Sequence, residues 1–163
     1  MVDIYGYYQA PNPIGFITVG LRSNDAVFSC QQGKNCHNPL TGPVKQWLDD
    51  YFAGKSLTYE GIVELPGTRF QRLIWINLFS IPYGATISYA GMAYIIGSPN
   101  AYRPVGTACG ANPCPLFVPC HRVVGSTGLG GFAWGLECKQ FLLNLEKFGL
   151  QTHPCNMPTR TSS

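Results

Sequence analysis

Short runs of alternating apolar and polar residues, separated by turn signals, cover the first thirty positions of the chain. Residues 2–10 and 14–21 are rich in Tyr, Ile, Phe and Val, and Pro11-Asn12-Pro13 lies between them. Ser23-Asn24-Asp25 marks a second turn before the apolar run 26–30. Alternation with period two between Pro, Asn and Asp clusters is typical of strands joined by turns. The pattern therefore predicts a three-stranded antiparallel meander.

After this region the apolar positions recur every three or four residues, which predicts helices. One face of a helix over 43–52 is apolar, and Pro43 suits its first turn. The residues on that face are Val44, Trp47, Leu48, Tyr51 and Phe52. We interpret this face as core packing.

Pro66-Gly67 interrupts the helical pattern and predicts a boundary between two domains. A second helix is predicted from Thr68 onwards. A last long helix is predicted over 136–148, with Gly149 as the residue that ends it.

Between these longer helices lie two short ones. Ser88 is a good N-cap for the first, and Gly97 ends it. After the turn 98–100, the second begins at Ala101 or at Pro104, because a proline disfavours helical geometry in the residue before it. Two helices joined by a short turn form the helix-turn-helix pattern.

Composition narrows the class of protein. The chain has 163 residues, 45% of them hydrophobic and 12% charged, which predicts a globular protein of one large or two small domains. The net charge of +3 is compatible with a nucleic-acid partner without implying one. Seven irregularly spaced cysteines argue against a disulfide framework. No apolar run is long enough for a membrane span, and Met1–Tyr5 does not begin a signal peptide, so we expect a reducing, intracellular setting.

Cysteine and histidine also occur together in the loop after the third predicted strand. Cys36-His37 lies there, six residues beyond Cys30. Zinc sites use these residue types, but the spacing matches no recognised ligand pattern and no fourth ligand is evident. A surface loop with incidental thiols is the simpler interpretation.

The strongest candidate for chemistry is Pro119-Cys120-His121-Arg122-Val123, which follows an apolar run and precedes a Gly-rich loop. We expect the buried apolar run to hold this thiol in place and the flexible loop to leave it accessible. The thiolate is the reactive form of cysteine, and a nearby base or cation favours it. Adjacent side chains in an extended segment point to opposite faces, so a turn or a bridging water is needed to couple Cys120 to His121.

Five motifs occur in order from about Phe70 to Gly149. They are Phe70-Gln71-Arg72 to Trp75; Ile81-Pro82-Tyr83-Gly84 with Ser88-Tyr89; Asn112-Pro113 with Pro119–Val124; Gly130-Gly131-Phe132; and Lys139 with Leu142-Leu143 to Glu146. In these motifs the sequence resembles the O6-alkylguanine-DNA alkyltransferase (methylated-DNA–protein-cysteine methyltransferase) family.

This resemblance implies an α+β fold. A small antiparallel sheet with a helix, similar to ribonuclease H, is expected as an N-terminal support domain over 1–66. A mostly α-helical domain with the helix-turn-helix is expected over 67–150. Residues 151–163 are expected to be a flexible tail.

The resemblance also implies the reaction. The protein is expected to move the alkyl group of O6-alkylguanine in double-stranded DNA irreversibly onto Cys120, once per molecule, with O4-alkylthymine as a further substrate class. It is expected to act as a monomer in the cytoplasm, or in the nucleus of a eukaryote, without a cofactor. The DNA is expected to be bound through its minor groove with the damaged base flipped out.

Five residues receive catalytic roles through the resemblance. Cys120 is the nucleophile, expected to be partly ionised. His121 takes its proton through a water, and Glu146 orients the imidazole. Asn112 holds the turn, and Tyr89 donates a proton or hydrogen bond to the purine.

Further residues are assigned to binding. Arg103 is expected to be inserted into the duplex, and other DNA contacts are expected from Tyr89, Ser98, Ala101, Tyr102, Gly106, Ser126 and Arg122. The substrate pocket is expected to be lined by Val123, Phe132, Ala133 and Trp134. The Trp134 indole stands where some relatives have Gly, so we expect it to narrow the pocket.

Three alternatives stay open. A sensor that binds alkylated DNA without transfer is similar in sequence, but proteins of that kind lack the cysteine that stands here as Cys120. A cysteine hydrolase explains Cys120 and His121 but not the helix-turn-helix. A zinc-bearing regulatory module fused to a repair domain needs more ligands than the N-terminal cysteines supply.

Overall fold

The computed structural model describes residues 2–55 and 58–152. The N-terminal part of the chain is a sheet followed by a helix. Strands β1 (Ile4–Gln9), β2 (Phe16–Leu21) and β3 (Val27–Gln32) pair antiparallel in that order, which confirms the predicted meander. Helix α1 (Gly42–Phe52) follows. The Tyr8 ring of β1 stacks on Phe52, and its hydroxyl donates to Asp49 at 2.8 Å.

The C-terminal part is mostly helical, and the predicted α+β fold is confirmed. One pair of short parallel strands places the segment after Cys120 beside the start of the helix-turn-helix. The elements are α2 (Arg69–Leu78), β4 (Ile87–Ser88), α3 (Tyr89–Ile95), α4 (Tyr102–Gly110), a 3-10 turn (Cys120–Arg122), β5 (Val123–Val124) and α5 (Leu136–Thr152). Within the described ranges, none of these helices has the length and apolar character to span a lipid bilayer.

The helix starts follow local chemistry. The Ser88 side chain accepts a hydrogen bond from the N–H of Gly91, as expected of an N-cap. Helix α4 begins at Tyr102, so the prediction that Pro104 starts it is wrong. Pro104 is the third residue of the helix, where backbone N–H groups have no partner within the helix and a proline removes no hydrogen bond. Arg103 therefore lies in the first turn.

The two parts share a single cluster of buried apolar side chains. The Trp75 indole donates to the carbonyl of Ala108 at 2.9 Å and so joins α2 to α4. The N–H of Cys30 in β3 donates to the carbonyl of Pro113 at 3.1 Å, which ties the sheet to the segment that leads to Cys120.

Helix α5 continues through Gly149 to Thr152, so the predicted stop at Gly149 is wrong. This glycine instead permits close packing. A Cβ there would lie 3.1 Å from Cα of Gly54 and 2.8 Å from the hydroxyl of Tyr83. The predicted tail therefore begins later than 151, and its residues 153–163 lie outside the described part of the chain.

The buried face of α5 carries charged residues. Lys139 and Glu146 are both fully buried, while Leu136 and Phe148 are about half exposed, at 50% and 53%. The Glu146 carboxylate accepts from Nε of Arg122 at 2.8 Å, and this guanidinium is itself buried. An ion pair thus docks α5 onto the 3-10 turn that contains Cys120.

The close packing at Gly149 is testable by substitution. We expect Gly149→Ala to lower the free energy of unfolding by about 1–3 kcal/mol, because the added methyl group overpacks the contact with Gly54. Gly110→Ala is the matched control, since a Cβ on Gly110 meets no atom within 4 Å. Urea denaturation measures both. Equal stability of the two variants would contradict the packing argument.

The buried ion pair predicts how stability depends on pH. Burial disfavours the ionised form of Glu146, but His121 and Arg122 outweigh it and lower its pKa to about 2. The carboxylate therefore stabilises the fold above the pKa of an unfolded Glu, about 4.3, and this contribution is lost as the pH falls from there through the folded pKa.

We expect Glu146→Gln to lower the free energy of unfolding by about 3–5 kcal/mol at neutral pH, because Arg122 loses its counter-charge. The difference from the wild type should shrink as the pH falls below about 4. Glu137→Gln, on the exposed first turn of the same helix, is the control and should change little. Urea unfolding at several pH values checks this, and a difference that does not change with pH would count against it.

Candidate active site

Cys120 begins the 3-10 turn and lies against a cavity of about 580 Å³. The apolar run before it is buried throughout, and Cys120 itself is only 5% exposed. Helix α4, the Tyr89 end of α3 and the loop before α5 surround the cavity. Its lining residues are Tyr89, Arg103, Gly106, Thr107, Cys109, Gly110, Cys120, Gly131, Phe132 and Ala133.

Asn112 holds the segment that carries the thiol. Its side-chain amide donates to the carbonyl of Val118 at 2.9 Å, and its side-chain oxygen accepts from the N–H of Cys114 at 2.9 Å. The side chain is buried and therefore fixes both ends of the loop between Asn112 and Cys120. This geometry is the one expected of a residue that holds the turn.

The thiol is protonated in the resting protein. Burial raises the pKa of Cys120 to about 11, although a hydrogen bond with Asn112 and the charge of Lys139 act in the opposite direction. The expectation that Cys120 is partly ionised is therefore wrong, since desolvation exceeds the help from its neighbours. A base must remove the proton as the reaction proceeds.

His121, the next residue in the 3-10 turn, is a candidate base, and its imidazole is fully buried. Its Nε2 lies 2.5 Å from Oε2 of Glu146. An ionised carboxylate only accepts hydrogen bonds, so Nε2 carries the proton and Nδ1 is left as an acceptor. Nδ1 is buried and has no hydrogen-bond partner among the described protein atoms. The predicted His121–Glu146 pair is thus present in the fold.

Arg122 does not contact DNA as predicted, because its side chain is 2% exposed. It donates to Glu146 through Nε at 2.8 Å and through Nη2 at 3.1 Å, and to the carbonyl of Ile81 at 2.8 Å. The guanidinium is committed to the core, where it supplies the positive charge that a buried carboxylate needs.

Tyr51 is a site residue that the sequence did not reveal. Its hydroxyl donates to Oε2 of Glu146 at 2.5 Å and lies 3.5 Å from Nε2 of His121. The residue belongs to α1, 70 positions before His121. In the sequence it is one apolar position on a core face, and no local signal separates it from its neighbours.

Tyr89 presents its hydroxyl to the cavity wall. The N–H of Gly131 donates to that oxygen at 3.3 Å, so the phenol proton can be donated elsewhere. Gly130 has φ +76°, and a Cβ there would come within 2.5 Å of the Tyr89 hydroxyl. The two glycines of the loop therefore set the position of the phenol.

A buried ammonium fixes the same loop from the other side. Nζ of Lys139 donates to the carbonyl of Val123 at 2.6 Å and to that of Gly131 at 3.0 Å. Burial lowers the pKa of Lys139, while Cys120 and Cys109 act in the opposite direction. Lys139 thereby connects β5 to the loop that faces Cys120.

The predicted DNA-contacting residues other than Arg122 are divided between the cavity wall and other positions. Tyr89, Arg103 and Gly106 line the cavity. Four others belong to the helix-turn-helix and to the loop after β5 and are not part of its wall: Ser98, Ala101, Tyr102 and Ser126. Tyr102 is 48% exposed, Ser98 and Ser126 are exposed, and Ala101 is partly buried.

Two of the four residues predicted to line the substrate pocket belong to the cavity wall. Phe132 and Ala133 line the cavity, but Val123 and Trp134 do not belong to its wall. Val123 pairs with Ile87 and is fully buried, and the Trp134 ring packs edge-on against Phe132 with centroids 5.8 Å apart. The indole therefore supports Phe132 and does not narrow the cavity directly.

Cys109, in contrast, lines the cavity and was not predicted, because nothing in the sequence distinguishes it among seven cysteines. Burial, and secondarily the nearby Cys120, raises the pKa of Cys109 to about 12, so this second thiol is protonated as well.

The N-terminal cysteines do not gather into a metal site in the part of the chain that the structure describes. No three Cys, His, Asp or Glu side chains there come together in a way that could hold a metal ion. Cys30 is buried beneath the sheet, and the Cys36 thiol donates to the carbonyl of Asn38 at 3.5 Å.

The amino-acid sequence of this chain is similar to those of known proteins. Residues 69–148 match the family described as 6-O-methylguanine DNA methyltransferase, DNA binding domain. The methylated-DNA–protein-cysteine methyltransferase of Mycolicibacterium paratuberculosis is 41% identical over 152 residues, which cover 86% of this chain and 92% of that protein. The constitutive enzyme of Bacillus subtilis is 44% identical over 119 residues, 72% of each chain.

Solved structures agree with the sequence relatives. The Mycobacterium tuberculosis O6-methylguanine methyltransferase superposes with a TM-score of 0.80 at 33% identity, covering 98% of this chain and 97% of that one. A crystal structure of the M. tuberculosis protein in complex with DNA gives 0.79 at 36% identity, over 89% and 93%. At this identity and coverage, this chain belongs to the methylated-DNA–protein-cysteine methyltransferase family.

Proposed function

We propose that this protein repairs DNA by transferring the alkyl group of O6-alkylguanine to Sγ of Cys120. The observation that carries the proposal is that Cys120, Tyr89 and Arg103 line one cavity, with the buried His121–Glu146 pair beginning at the next residue of the same 3-10 turn. A nucleophile, a proton donor for the leaving base and a cation on a helix-turn-helix thus meet at one place.

The transfer is a single displacement. The proton of Cys120 passes through a water to Nδ1 of His121, whose Nε2–H is held by Glu146. The sulfur attacks the alkyl carbon, the S–C bond forms and the C–O6 bond breaks. The guanine leaves with the electrons of that bond and takes a proton from Tyr89, which recovers one from solvent.

The product is a thioether, which water does not cleave, so each molecule reacts once. The reaction needs a thiol, a base and a proton donor, and the chain supplies all three. We therefore propose a reaction without a cofactor.

The damaged base must leave the stack before its O6 atom can reach Cys120. Arg103 lies in the first turn of α4 and lines the cavity, so it can fill the gap that the base leaves. Gly106 and Ala101 are small and permit α4 to approach the minor groove. All these groups come from one chain, so a monomer suffices, and the proposed place of action is the cytoplasm or, in a eukaryote, the nucleus.

Within this proposal the chain acts as two domains that share a core. Residues 1–66 support the site, and residues 67–150 bind DNA and carry the reacting thiol. The cavity is formed by residues of the second part alone. The same chemistry extends to O4-alkylthymine wherever that base fits the cavity.

The transfer is tested by the mass of the intact protein. After mixing with a duplex that contains one O6-methylguanine, we expect a gain of one methylene mass per molecule, mapped to Cys120 and absent in Cys120→Ala. Cys109→Ala is the matched control, because it removes the other thiol of the cavity and should still gain the mass. Tight binding to the lesion without any gain would indicate a sensor and overturn the proposal.

The role of Arg103 is tested by comparing two substrates. We expect Arg103→Ala to slow transfer from duplex DNA by about tenfold or more, since base flipping costs a few kcal/mol. Transfer from a single-stranded oligonucleotide should change much less, because its base is already unstacked.

Lys34→Ala, which removes an exposed cation from the loop after β3, serves as the control for charge and should leave both rates unchanged. Equal slowing of Arg103→Ala on the two substrates would show that Arg103 contributes general affinity and not base flipping.

A further inference from the structure

The contact between Tyr51 and Glu146 connects the first helix of the chain to the last. The phenol donates to Oε2 at 2.5 Å, and this is the oxygen that Nε2 of His121 also contacts at 2.5 Å. Tyr51 is fully buried. The same carboxylate oxygen therefore serves the proposed base and a tyrosine from the N-terminal part.

Five groups face the Glu146 carboxylate from three parts of the fold. His121 and Arg122 come from the 3-10 turn, Tyr51 from α1, and the N–H of Gly84 from the loop before β4, donating at 3.1 Å. Tyr83 of the same loop is buried near it, with a hydroxyl that has no hydrogen-bond partner among the described protein atoms.

The Tyr51 phenol donates a hydrogen bond to this carboxylate as a neutral group that keeps its proton. Burial, with the nearby Glu146 carboxylate, raises the pKa of Tyr51 well above its ordinary value, so its proton stays in place at any pH at which the protein works. A hydrogen bond to a carboxylate disperses its negative charge and weakens it as an acceptor for other donors. The phenol therefore competes with the imidazole for Glu146.

We infer that Tyr51 is a positioning residue for the alkyl transfer, which holds Glu146 and limits how strongly that carboxylate stabilises a proton on His121. The inference rests on the proposed function. A base that is protonated before the substrate arrives cannot accept the proton of Cys120, so the hydrogen bond of the phenol to Oε2 acts on the same atom that contacts the proposed base. The N-terminal helix thereby takes part in the chemistry of the C-terminal part.

The test is the pH dependence of the transfer rate in Tyr51→Phe, which keeps the ring and removes the hydroxyl. Freed from the phenol, Glu146 should hold the protonated imidazole more tightly. We expect the midpoint of the acidic limb of the pH–rate profile to move to higher pH by about one unit, the equivalent of one net hydrogen bond. At pH values below this midpoint the variant should react about tenfold more slowly than the wild type, and at alkaline pH the difference should be much smaller.

Tyr8→Phe is the matched control, because it removes a phenol–carboxylate bond of the N-terminal part that lies with Asp49 and not with Glu146. Its profile should superpose on that of the wild type. The other titratable groups of the site, Cys120 and Lys139, are the same in all these proteins, so a shift of the limb reports the change at position 51.

A second variant distinguishes an effect of the hydroxyl on the chemistry from an effect of the substitution on folding. Incorporation of 3,5-difluorotyrosine at position 51 keeps the hydroxyl and makes it a stronger donor, so the acidic limb should move to lower pH. An equal loss of rate at every pH in Tyr51→Phe, or no opposite shift with the fluorinated residue, would overturn the inference and leave Tyr51 as a packing residue. Absence of transfer in the wild type would instead refute the proposed function itself.

Discussion

The buried carboxylate of Glu146 is the constraint on which the rest of the site depends. A charge removed from water needs partners on all its lone pairs, and here Arg122, His121, Tyr51 and a backbone N–H provide them. Each partner comes with a structural consequence. The guanidinium fixes the turn that holds the thiol, the imidazole acquires a defined tautomer, and the phenol draws the N-terminal helix against the last one. The carboxylate whose ion pair with Arg122 stabilises the docking of α5 is also the group that orients the proposed base.

Periodicity alone predicts most of the elements but fails at the last helix. Most buried positions of the meander and of α1 are apolar, with Thr18 as a buried polar exception in β2, so the apolar pattern finds these elements. Helix α5 buries Lys139 and Glu146 while Leu136 and Phe148 are about half exposed, so its core face is not its most hydrophobic face. Its end was misplaced for a related reason. Gly149 usually signals a helix stop, and only the neighbouring backbone at Gly54 shows that it serves close packing instead.

The site could be predicted as far as its motif extends along the chain. Cys120, His121 and Asn112 lie within one short stretch, and the structure brings them together with Glu146 as expected. Residues from other parts of the chain, such as Tyr51, have no recognisable sequence pattern around them, because their role depends on tertiary contacts. Arg122 shows the converse error. A basic residue beside a reactive cysteine was interpreted as a DNA contact, whereas burial makes it a counter-ion, and a sequence does not distinguish an exposed cation from a buried one.

The distance along the chain between the parts of this site has a consequence during synthesis. Tyr51 and Glu146 are 95 positions apart, and Glu146 lies in the last helix. Until that helix has docked, His121 lacks the carboxylate that orients it. A growing chain therefore carries the thiol without its oriented base, and the reaction site is complete only after synthesis has passed Glu146.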